Sequence, residues 1–94
     1  MPRAPVIQLP PTSLDAIFDA LDVLRKIDEG RFSTEIAATD PSQAIPGGRS
    51  LILKHYRSDG THVATAHVLM DDQGDIRHRH GKDILLGTIK FTRQ

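Results

Sequence analysis

The chain has 94 residues, no cysteine, and twelve Lys/Arg balanced by twelve Asp/Glu. That length bounds it to one small domain with a modest core. The missing thiols exclude a disulfide framework and thiolate metal sites, and zero net charge argues against a strongly basic nucleic-acid binder. No apolar run approaches the ~20 residues of a membrane span, and MPRAPVIQLPPTS lacks the apolar stretch of a secretory leader. A soluble, cytoplasmic protein that does not engage the membrane is therefore expected. The charge is unevenly divided: residues 1–48 hold four Lys/Arg against seven Asp/Glu, and residues 49–94 hold eight against five. All five histidines, His55, His62, His67, His78 and His80, fall in the basic half.

Residues 1–11 carry Pro2, Pro5, Pro10 and Pro11. Proline fixes φ and removes a donor, so this segment reads as a flexible arm, with Val6, Ile7 and Leu9 able to add a short edge strand. Thr12 with Asp15 resembles a capping box. Leu14, Ile17, Phe18, Leu21, Leu24 and Ile27 then recur at helical spacing, with Asp15, Asp19 and Asp22 opposite, and Gly30 is a natural stop. The pattern predicts one amphipathic helix over 13–29. RFSTEIAAT alternates like a strand, and Asp40-Pro41 suits a single helical turn over 41–44.

SLILKHYR, THVATAHVLMD and DIRHRH are strand candidates. Asp59-Gly60 predicts a two-residue hairpin turn between the first two, and Asp71 to Asp75 a turn with a glycine bulge between the next. The first turn pairs Arg57 with His62, His55 with Ala64, Leu53 with Ala66 and Leu51 with Val68. The second pairs Met70 with Ile76, Val68 with His78 and Ala66 with His80. In this register His55, His62, His78 and His80 share the apolar, helix-covered face, and His67, Arg77 and Arg79 lie on the other. A one-residue slip reverses every such assignment. His80-Gly81-Lys82-Asp83 reads as a turn, and residues 88–92 read as a last strand or a truncated helix. The expected fold is α+β: an N-terminal amphipathic helix packed on an antiparallel sheet of three or four strands, with residues 12–94 a single domain.

His78-x-His80 places two imidazoles about 7 Å apart on one side of a strand, a spacing that serves a metal. A third ligand is missing in this register, because His55 lies two strands from His80. No metal is expected. Arg77, Arg79 and Lys82 are candidates for holding phosphates. Only Tyr56 and Phe91 offer stacking, too few for a base-stacking platform. No P-loop, dinucleotide fingerprint or nucleophile elbow appears, and no cofactor is implied. What remains for an enzyme is a histidine general base beside cations, which suffices to cleave RNA through its 2′-hydroxyl.

Gly60-Thr61-His62, then His80-Gly81-Lys82-Asp83-Ile84, then Gly87-Thr88-Ile89 resemble the motifs of the small HicA toxins over about residues 50–90. The resemblance implies a ribonuclease of a toxin–antitoxin pair, with a fold like a double-stranded-RNA-binding domain. It implies His62 as catalytic base; beside it, Lys82, Arg79 and Arg77 are the candidate phosphate and RNA contacts, and His78 and His80 candidate accessory groups. Its partners would be RNA and an antitoxin-like protein. The proline arm, the acidic helix face and the strand at 32–38 suit a different reading: a non-enzymatic α+β interaction module, such as a regulator, inhibitor or assembly subunit, acting as a dimer.

Overall fold

The computed structural model describes residues 5–94, so residues 1–4 of the expected arm lie outside the described residues. The elements run β1 (Val6–Leu9), α1 (Pro11–Ala20), α2 (Val23–Asp28), β2 (Ser33–Pro41), β3 (Arg49–Tyr56), β4 (His62–Met70), β5 (Ile76–Leu86) and β6 (Ile89–Arg93). All six strands form one sheet in the order β1-β6-β5-β4-β3-β2. Neighbours from β2 to β6 are antiparallel, and β1 lies parallel to β6. The expectation of one helix on three or four antiparallel strands is therefore corrected to a six-stranded mixed sheet with two short helices.

Each difference has a local cause. The single helix over 13–29 breaks at Asp22, whose φ of 52° is left-handed, a conformation aspartate tolerates better than most residues. Pro11 opens α1 at a position where its missing N–H costs nothing. Thr12 and Asp15 form no capping box. Asp15 accepts instead from Arg93, at 2.8 Å, and ties α1 to the last strand. Part of the expected flexible arm is strand β1, with Val6 opposite Lys90 and Leu9 opposite Arg93. β2 runs through Pro41, and the turn expected at 41–44 is replaced by a loop in which Ser42 Oγ accepts from the Ala44 and Ile45 amides. Residues 89–93 are strand, which removes the truncated-helix reading. His80-Gly81-Lys82-Asp83 is not a turn but lies inside the eleven-residue β5.

The core lies between the helices and one face of the sheet. Leu14, Phe18 and Val23 pack against Val63, Ala64 and Ile84, with Ile17, Leu24, Ile27 and Phe91 around them. The phenyl ring of Phe18 lies directly on the backbone of Gly81. The helices lie over β5 and β6 and reach β4, leaving β2 and β3 largely uncovered. No helix among the described residues is long and apolar enough to cross a membrane.

Candidate functional site

Three bulges decide which side chains meet on the face of the sheet away from the helices. β3 and β4 pair as expected at Leu51–Val68, Leu53–Ala66 and His55–Ala64. Past that point the register shifts, Tyr56 pairs with His62, and Val63 is the extra residue. His62 therefore leaves the helix-covered face. Between β4 and β5 the ladder shifts beside Met70–Ile76, so that Leu69 faces His78 and His67 faces His80. Arg77 is the extra residue there. His78 and His80 thus lie on the open face with His67, and Arg79 turns to the helix face, the reverse of the expected arrangement. A third shift makes Lys82 the extra residue between Gly81 and Asp83.

Two polar groups result. In the first, His62 Nε2 lies 2.9 Å from Thr65 Oγ1 and 3.9 Å from Asp83 Oδ1, and its ring tilts against Tyr56 with centroids 5.5 Å apart. Asp83 Oδ2 lies 3.8 Å from Lys90 Nζ. Asp83 Oδ1 is buried and has no hydrogen-bond partner among the described residues. A buried carboxylate oxygen left without a donor is costly, so His62 is the group placed to satisfy it by a small ring movement. Imidazole, carboxylate and hydroxyl in this order can orient a general base.

In the second group, His67 Nε2 lies 2.6 Å from Ser50 Oγ. The His67 and His80 rings meet edge-on with centroids 5.0 Å apart. His78 Nε2 lies 3.0 Å from His80 Nδ1. Burial, then the charge of Arg93, pushes the His80 imidazole down to about 4. Burial, then the charge of Lys82, lowers that of His67. Both rings are thus neutral near pH 7.

The expected phosphate contacts are separated. Arg79 donates two hydrogen bonds to Asp28, at 2.7 and 3.0 Å, across the helix face. Arg77 lies 3.8 Å from Asp71 at the strand end. Lys82 is exposed, and its charge is felt at His67. The structure brings His78 and His80 together, adds His67 and Ser50 to them, and gives His62 a separate setting with Thr65, Asp83 and Tyr56. Sequence reasoning missed Asp83 and His67 as members of these groups. The signal for both was strand parity, which the bulges inverted.

Among the described residues no set of three or more His, Asp or Glu side chains already stands at metal-binding distances. No protein-family model matches the chain, and neither a curated protein nor a solved structure does.

Proposed function

We propose that the chain is a non-enzymatic α+β interaction module that joins a second copy of itself through strand β2. The supporting observation is the state of that strand. β2 is nine residues long, forms one edge of the sheet, and among the described residues pairs with β3 alone. Eight of its nine residues are exposed, and Ile36 is 63% exposed on the helix-bearing side of the sheet, beyond the edge of the helices. Half-buried Leu51 and Leu53 continue that apolar face inward, and Ile76 is exposed on its far side. A long edge strand flanked by uncovered apolar surface is a template for strand addition. A two-fold pairing of β2 with β2 satisfies both edges at once. The near-neutral chain opposes such association weakly.

Light scattering coupled to gel filtration tests this. The wild type is expected to elute as a dimer, and Ile36→Lys as a monomer with an unchanged circular-dichroism spectrum. Ile36 is exposed, so its replacement costs the monomer fold about 0.5 kcal/mol or less. A wild type that stays monomeric at high concentration overturns the reading.

A second reading rests on a different observation, the unpartnered Asp83 oxygen beside His62. It suits a ribonuclease toxin in which His62 takes the 2′-hydroxyl proton and Asp83 orients the ring, with RNA as substrate and an antitoxin-like protein as inhibitor. Expression of the wild type is then expected to arrest growth, and His62→Ala to reduce RNA cleavage by about 10²–10⁴-fold. Normal growth on full expression of the wild type sinks this reading.

A further inference from the structure

The His67, His78 and His80 cluster takes no part in the strand pairing or in the His62–Asp83 group, and its geometry has a specific chemical meaning. We propose that His78 and His80 form the chelating pair of a site for a divalent transition metal of the Ni²⁺ or Cu²⁺ type, with His67 as a supporting ligand.

His78 Nε2 and His80 Nδ1 are already 3.0 Å apart. A metal ~2.0–2.1 Å from each nitrogen would see them at roughly a right angle. That angle is the one demanded by tetragonal and octahedral ions, and imidazole is a ligand both Ni²⁺ and Cu²⁺ favour. In the metal-free protein one proton bridges the two nitrogens. A metal replaces that proton once each ring turns to aim its lone pair at a common point.

The third imidazole was absent from the sequence-based register, which put Ala66 opposite His80. The bulge puts His67 there instead. Its Nε2 is held at 2.6 Å by the Ser50 hydroxyl. With the proton on Nε2 donated to Ser50 Oγ, Nδ1 keeps its lone pair, the arrangement by which an outer oxygen fixes the tautomer of a metal-binding histidine. The site is also accessible. β5 pairs with β6 only from Asp83 onward, so the His78 end of the strand has one neighbour, and His78 is exposed. Nearby Lys82 opposes a cation, which favours ions that bind imidazole strongly over those that rely on carboxylates.

The test uses the full chain without any added histidine tag, titrated with NiCl₂ in a calorimeter at neutral pH. One Ni²⁺ per chain is expected to bind, with a rise in melting temperature at excess metal. His78→Ala and His80→Ala are each expected to weaken binding by about tenfold or more, and His67→Ala by a smaller factor. His62→Ala, in the separate group, is expected to bind as the wild type does. His78 is exposed, so His78→Ala keeps its fold, and an unchanged circular-dichroism spectrum verifies this. Histidine ring resonances in NMR spectra identify the ligands independently, since those of His78 and His80 are expected to broaden first as the paramagnetic ion is added. Absence of binding at roughly millimolar Ni²⁺, or wild-type affinity in His78→Ala, overturns the proposal.

Discussion

Gly81→Ala is expected to destabilise the fold by about 3 kcal/mol, the upper end of what overpacking a core costs. A methyl group built at Gly81 overlaps the outer edge of the Phe18 ring on three carbons at once. The ring is packed in the buried cluster with Leu14, Val23 and Ile84, so it cannot shift without disturbing those contacts. A flexible surface side chain would swing aside. A buried phenyl ring pushed from the sheet must move α1, and α1 is fixed to β6 by the Asp15–Arg93 pair. Urea unfolding of the variant should give a lower midpoint with an unchanged slope. The same substitution in a Phe18→Leu background should cost clearly less, since the clash partner is then smaller. Additive costs in that double-mutant cycle would show that the two residues do not meet.

The second large effect is on stability against acid. His55 is 1% exposed, its Nδ1 lies 2.9 Å from Thr34 Oγ1, and its Nε2 is buried without a partner among the described residues. Burial first, then the charges of Arg79 and His62, hold its pKa below the usual 6.5. Below pH 6.5 the unfolded chain takes up a proton at this position and the folded chain resists it. Stability from this group is therefore complete above about pH 6.5 and declines as the pH falls from there towards the folded pKa. His67 and His80 are shifted in the same direction and add to the slope. The melting temperature is expected to fall between pH 7 and pH 5, and to fall less in His55→Gln, whose amide can still meet Thr34. An equal fall in both proteins would remove His55 as the cause.

The β3–β4 hairpin and part of the core were legible because strong local chemistry marked them. Asp59-Gly60 located the β3–β4 hairpin, and the pairing of Leu51, Leu53 and His55 followed from it. Leu14 and Phe18 were identifiable as core by helical spacing. The register of β5 was not legible. Its first half alternates arginine and histidine, and neither set is apolar enough to declare which side faces the core. One extra residue at Arg77 then exchanged the faces, placing Arg79 beneath α2 and the histidines outside. The break at Asp22 was hidden because Leu21, Leu24 and Ile27 continue the helical spacing across it. Strand β1 was legible only as an option at Val6, Ile7 and Leu9, since four residues between flanking prolines carry little periodic signal. The pairing of Asp83 with His62 depended on two bulges in succession, which no local pattern announces.

The parallel contact between β1 and β6 bears on how the molecule is made. Val6 to Leu9 find their partners at Lys90 to Arg93, almost the whole chain away. A ribosome delivers the first strand long before the last one exists, and the intervening antiparallel strands can form while β1 waits. Closure of that large loop comes late and slows folding. Until residues 89–93 emerge, Val6, Ile7 and Leu9 remain open to other strand edges, and a nascent chain stalled before residue 89 cannot complete this sheet.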